Sequence, residues 1–131
     1  MIPTKKRPAP VFPKMRKVII ETPFKGTAER SPEQHREYLK HCMADCVSRG
    51  ENPYASHRWL TEVLDDADPH ERGLGIKCGW EWGELADAIV VYDDMGCSPG
   101  MRESIAYYES IKKPIERRTL DFALVRSILD M

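Results

Sequence analysis

The sequence predicts a small three-layer α/β domain, in which a parallel sheet of about four or five strands carries helices on both faces. Three observations predict it. Val18-Ile19-Ile20 is a β-branched run, and Asp87-Ala88-Ile89-Val90-Val91-Tyr92 is almost continuously apolar, as a strand buried on both faces is. Ser31-Pro32-Glu33-Gln34 and Ser98-Pro99 are helix starts: serine caps, proline suits the first turn, and Gln34 completes a capping box. Strand and helix patterns then alternate in the order β-α-β-α-α-β-α-β-α, and right-handed crossovers leave few topologies for that order.

Taken in order, residues 1–15 hold four prolines and four Lys/Arg without usable periodicity, and read as an extended basic tail. Residues 16–131 then form one domain. The first strand ends at the loop Thr22-Pro23-Phe24-Lys25-Gly26. The helix opened by Ser31 carries Tyr38, Leu39, Cys42, Met43, Cys46 and Val47 on one apolar face and stops at Gly50. A short second strand is expected over Asn52 to Ser56, and a short helix over Leu60 to Leu64. Residues 71–85 read as a helix with Leu74, Cys78, Trp82 and Leu85 inward and Trp80 turned toward a partner, weakened by four glycines. The strand at residue 87 follows, then a loop from Asp93 to Cys97. The helix opened by Ser98 runs to about Ile111 with Ile105 and Tyr108 inward. Pro114 to Arg118 is the fourth strand. A last helix, capped by Thr119, is apolar over more than one stripe through Leu120, Ala123, Leu124, Val125, Ile128 and Leu129, which points to a partner subunit.

Composition narrows the functions. The chain has 131 residues and a formal net charge of −1, a balance that argues against a protein devoted to gripping nucleic acid. No run is long and apolar enough to span a membrane, and no secretory h-region stands at the start. A cytoplasmic location is therefore expected, with Cys42, Cys46, Cys78 and Cys97 as thiols. Cys42 and Cys46 stand one helical turn apart and can reach one metal ion with a histidine; buried apolar cysteines are the simpler reading, and no metal or cofactor is expected.

The topology that fits is flavodoxin-like or Rossmann-like, with the strand at residue 18 beside the strand at residue 87. In such sheets ligands sit outside the carboxyl ends of the strands. Four loops collect there, beginning at Thr22, Ser56, Asp93 and Arg117. Ser98-Pro99-Gly100-Met101 starts a helix whose free N–H groups suit an anion, with Lys25 and Gly26 facing the same crevice. His57 and Arg58 follow a strand, and His57 is a candidate acid, base or donor. Asp93 and Asp94 are either general acids or solvated capping groups, and Glu21 is a further carboxylate at the crevice. Asp65, Asp66, Glu71 and Arg72 form a charged stretch, either a solvated loop or an intersubunit ion pair or lid.

These segments resemble the nucleoside 2-deoxyribosyltransferase-like superfamily, and within it a group of small domains common in phages and mobile elements. The matching residues are Thr22-Pro23-Phe24-Lys25-Gly26, Ala55-Ser56-His57, Leu64-Asp65-Asp66, Pro69-His70-Glu71-Arg72-Gly73, Ala86-Asp87 and Ser98-Pro99-Gly100-Met101. The resemblance implies a nucleoside or nucleotide ligand and a homodimer or larger homo-oligomer; from the loops at the strand ends, the residues expected to hold the ligand are Thr22, Pro23, Phe24, Lys25, Gly26, His57, Arg58, Ser98, Gly100 and Met101. In the enzymes it implies cleavage of an N-glycosidic bond by a glutamate four residues after the loop glycine, with acidic groups assisting the leaving base. Here that position is Ser104, and Glu103 stands one residue early, about 100° around the helix. The first expectation is therefore a nucleotide-binding protein without turnover. The alternative is a deoxyribosyltransferase or nucleoside monophosphate N-glycosidase using Glu103, or another carboxylate such as Glu21 or Asp94, with Asp93 or Asp94 as candidate acids and His57 or Arg58 holding substrate. A third is a protein-interaction module.

Overall fold

The computed structural model describes residues 8–131. The first seven residues of the expected tail lie outside the described residues, and residues 8–14 are exposed and without regular structure. The elements that follow are β1 (Arg16–Glu21), α1 (Pro32–Ser48), β2 (Glu51–Tyr54), α2 (Ser56–Leu60), α3 (Pro69–Leu85), β3 (Ala88–Tyr92), α4 (Pro99–Ser110), β4 (Ile115–Arg118) and α5 (Phe122–Leu129). The order matches the sequence reading element by element.

The sheet is four-stranded and all-parallel, in the order β2-β1-β3-β4. β1 and β3 are its centre, with Ile19 opposite Ile89 and Glu21 opposite Val91. Every residue of β3 is buried, as its unbroken apolar run requires. Pro53 is accommodated because β2 is an edge strand, where a missing N–H costs no ladder bond.

Alternation along the strands divides the core in two. Val18, Ile20, Ala88, Val90 and Tyr92 meet Tyr38, Leu39, Cys42 and Cys46 of α1 and Val125 and Ile128 of α5. Ile19, Ile89 and Val91 meet Met101, Ile105 and Tyr108 of α4, with Trp80 of α3 packed against them. Helices thus cover both faces.

Three expectations about packing are corrected. The inward face of α3 is not Leu74, Trp82 and Leu85, which are 45%, 57% and 76% exposed. It is Gly79, Trp80 and Gly83. A Cβ on Gly83 would lie 2.1 Å from Tyr108 Oη, and one on Gly79 would lie 2.6 Å from Ser56 Oγ. The glycines that weaken the helix are the surface it packs with. On α1, Val47 is exposed while Gln34 and His35 are buried. The capping box explains Gln34: its Oε1 accepts from Ser31 N–H, and its amide donates to the carbonyls of Ile128 and Leu129, tying α1 to α5. The short helix after β2 begins at Ser56 rather than Leu60, and residues 61–63 are turn. A one-turn helix has no periodicity to read.

Candidate functional site

β1 and β2 end beside the start of α4, and α2 and α3 wall the space between them. The result is an open cleft of about 480 Å³. Its floor is the end of β1. Ile19 faces α3 and α4, so Glu21, two residues on, faces the same way and lines the cleft. One wall is the loop from Thr22 to Thr27, the other is Ile76, Gly79 and Trp80 of α3. Ser98, Gly100, Met101, Ser104 and Tyr108 of α4 close it.

Local sequence explains each placement. Ser98 caps α4 by accepting from the Met101 N–H at 3.2 Å, which fixes the helix start at the cleft mouth. Asp68 caps α3 by accepting from the His70 N–H, with Pro69 in the first turn. His57 Nε2 lies 3.0 Å from Thr22 Oγ1, and its ring meets the Phe24 ring edge-on at 5.5 Å. Burial pushes His57 down to about 4, so its imidazole is neutral at pH 7. Trp80 donates its indole N–H to Ser104 Oγ at 3.0 Å, and Tyr108 donates to the Gly79 carbonyl at 3.3 Å.

Glu21 is the unusual group. No hydrogen bond or ion pair to its carboxyl is found among the described residues, and burial raises it to about 8. The two cations in the cleft are engaged elsewhere. Lys25 Nζ is 2.7 Å from Asp66, across the loop before α3, and Arg72 is 3.8 Å from Glu103.

Of the expected ligand-binding residues, Thr22, Pro23, Phe24, Lys25, Gly26, His57, Ser98, Gly100 and Met101 all line this cleft. Arg58 does not: it pairs with Glu62 at 2.8 Å and lies over the Trp59 ring. The three expected catalytic carboxylates are also outside. Glu103 is half-exposed and turned to Arg72 at the rim, because one helical position separates it from the inward-facing Ser104. Asp93 pairs with Arg117. Asp94 accepts from the Tyr38 hydroxyl at 2.6 Å and from the Leu120 N–H at 3.0 Å, so it ties α1 to the loop after β3 and the segment leading into α5. Ser104, which the sequence places where the glycosidase glutamate would stand, does line the cleft, whereas Tyr108, Trp80 and Gly79 are cleft residues the sequence did not point to. The strand alternation that places Glu21 was legible; the glycine face of α3 was not.

These placements carry a prediction. Asp94→Ala should cost about 1–3 kcal/mol, since it leaves buried Tyr38 without its acceptor. Glu103→Ala should change stability by no more than about 0.5 kcal/mol. Thermal melts of the two variants check this, and equal losses would contradict the assignment of Asp94 as a structural tie.

Cys46 Sγ lies 3.4 Å from the Tyr92 hydroxyl, and Cys42 is fully buried in the α1 core. No group of three or more His, Cys, Asp or Glu able to hold a metal ion occurs among the described residues. No helix among them is long and apolar enough to cross a membrane.

Sheet order and cleft together define a small parallel α/β domain of the Rossmann-like kind, with its cavity at the carboxyl ends of the central strands. More particularly, residues 16–118 match the family described as Domain of unknown function (DUF7768), and the chain belongs to that family. The match runs from the first residue of β1 to the last of β4 and leaves α5 outside it. Neither the curated proteins nor the solved structures give a match.

Proposed function

We propose that the chain binds a nucleoside or nucleotide in the cleft and releases it unchanged. The observation that carries this reading is the pair Ser104 and Glu103. The residue at the place of the glycosidase nucleophile is a serine held by Trp80, and the neighbouring carboxylate leaves the cleft for Arg72. Among the described residues the hydrogen-bond partner of the Ser104 hydroxyl is the Trp80 indole N–H, a donor and not a base that could activate it. The ligand class is supported by the cleft's size, its aromatic wall and the polar groups at the strand ends.

An N-glycosidic enzyme is the second reading, and Glu21 is the observation that favours it. Glu21 is a carboxyl that lines the cleft without a partner, yet a group raised to about 8 is mostly protonated at pH 7 and is a poor nucleophile there. A protein-interaction module is disfavoured by a cleft open enough for a small molecule. Assembly as a homodimer or larger homo-oligomer belongs to the same proposal, supported by Phe122 and Leu129 exposed on α5. So does a cytoplasmic location, supported by free thiols at Cys42, Cys46, Cys78 and Cys97.

The test is a thermal-shift screen with nucleosides, nucleoside monophosphates, ADP-ribose and cyclic nucleotides, each hit then recovered by chromatography. A true ligand at about one hundred times its Kd should add about 2.7 kcal/mol, raising Tm by roughly 10 °C. Recovery of the intact ligand is expected. Free base in the eluate would replace this reading with the enzyme, and no shift with any of these compounds would remove the ligand class altogether.

A further inference from the structure

Glu21 sits where a ligand entering the cleft must meet it, at the end of the central strand and between α3 and α4. Its surroundings are unlike those of a carboxylate that binds as an anion. Tyr108 on α4 is near enough to feel its charge, and the other titratable and polar groups of the same cleft are Thr22, His57, Lys25, Asp66, Glu71 and Arg72. None of the cations turns to it. Lys25 is taken by Asp66 and Arg72 by Glu103, while the Tyr108 hydroxyl donates to the Gly79 carbonyl. His57 is neutral and bonded to Thr22. A carboxyl that shares a partly apolar cleft with Ile76, Gly79 and Tyr108, and has no counter-ion among the described residues, favours its protonated form.

We propose that Glu21 reads the base of the ligand as a neutral carboxyl, its O–H donating to an acceptor on the ring and its carbonyl oxygen accepting from a neighbouring N–H. This inference rests on the reading of the cleft as a nucleoside site and adds which part of the ligand meets the floor. A neutral carboxyl offers one donor and one acceptor side by side. Nucleobases present the matching pair on one edge, as amino group and ring nitrogen in adenine and cytosine. A sugar diol presents two donors and suits an ionised carboxylate instead. The two arrangements have opposite responses to pH, because only one of them needs the proton.

The sign follows from linkage. The neutral form of Glu21 predominates below about 8 and is lost above it, so a ligand that needs the proton weakens as pH rises through that value. His57, held neutral above about 4, does not change charge in that window, and Tyr108 is held protonated through it by burial and by the Glu21 charge.

Calorimetric titration of the full chain with adenosine and with cytidine tests this, since neither ring titrates near neutrality. Between about pH 6.5 and about pH 9 the wild-type Kd should rise roughly tenfold. Glu21→Gln keeps a neutral donor and acceptor, so it should bind about as well as wild type at the lower pH and lose the pH dependence. Glu21→Ala should bind about tenfold more weakly at the lower pH, the loss of one to two hydrogen bonds. Free adenine should show the same pH response as adenosine. Affinity that rises with pH and falls in Glu21→Gln would overturn the proposal in favour of a carboxylate on the sugar. Binding indifferent to Glu21→Ala would overturn it and leave the nucleoside reading standing. Failure of both nucleosides to bind would overturn it too, and binding of other nucleosides or nucleotides in the thermal-shift screen would then decide whether the broader reading survives.

Discussion

Gly83→Ala is expected to destabilise the domain by about 3 kcal/mol, lowering Tm by roughly 10 °C, although alanine is the better helix former. The residue lies in α3, where intrinsic propensity favours the substitution by about 1 kcal/mol. Contact reverses the sign. The new methyl would lie 2.1 Å from Tyr108 Oη and 2.4 Å from Cε1 of the same ring. The ring is fully buried against the α3–α4 core and cannot swing away. Either α3 lifts from α4 or Tyr108 is expelled, and both open the cleft wall. Tyr108→Phe should not rescue the variant, because Cε1 and Cζ remain within 2.5 Å of the methyl. Gly73→Ala in the same helix is the internal control. Nothing lies within 4 Å of its Cβ position, so it should gain about 0.5–1 kcal/mol. Thermal melts of the two alanine variants decide the matter, and a gain in both would mean that α3 and α4 are not closely packed.

The same helix shows where sequence reading stops. Element order was legible because its signals are local: a serine cap, a proline in the first turn, an apolar run that can only be a buried strand. Side-chain hydropathy then chose Leu74, Trp82 and Leu85 as the inward face of α3, because hydropathy counts side chains that are present. The real contact is made by the absence of side chains at Gly79 and Gly83, which lets Ser56 and Tyr108 approach. Glu21 illustrates the limit for the site. Alternation from Ile19 fixes its face, but that Lys25 and Arg72 would turn to other carboxylates is a property of the folded chain. Glu103 and Ser104 differ by one position on α4, and the capped start at Ser98 decides which of them meets the cleft. Arg117 to Thr119 read as a loop beside the ligand, yet Arg118 lies in β4 and is turned onto the α1 face of the sheet.

Arg118→Met should be the most damaging single change outside the cleft, at about 3–5 kcal/mol or roughly 10–20 °C in Tm. The Arg118 side chain is 8% exposed and the Glu51 side chain 7%. Its guanidinium donates to both oxygens of Glu51, at 2.6 and 2.7 Å, and to Glu116 at 2.9 Å. These bonds cross the whole width of the sheet, from β4 on one edge to β2 on the other. Arg16 adds a second bridge to the same two carboxylates, at 3.2 Å to Glu51 and 2.8 Å to Glu116. Methionine has similar length and no charge, so Glu51 would stay buried with only the half-exposed Arg16 beside it. That stranded carboxylate, more than the lost attraction, is the source of the cost. Arg118→Met combined with Glu51→Gln should therefore recover a large part of the loss, which a purely steric effect of methionine would not allow. The pH response gives a separate check. The Arg118 hydrogen bonds, ahead of the opposing desolvation, hold Glu51 below the ordinary carboxylate range, and those of Arg16 do the same for Glu116. Folded-state values below the unfolded ones mean stability that is present above the ordinary range and lost as pH falls through the lowered values. In Arg118→Met the lowering of Glu51 is largely removed, so the variant should differ most from wild type near neutral pH and converge on it in acid. A constant difference across that range would show that the ion pair contributes nothing beyond the volume of its side chains.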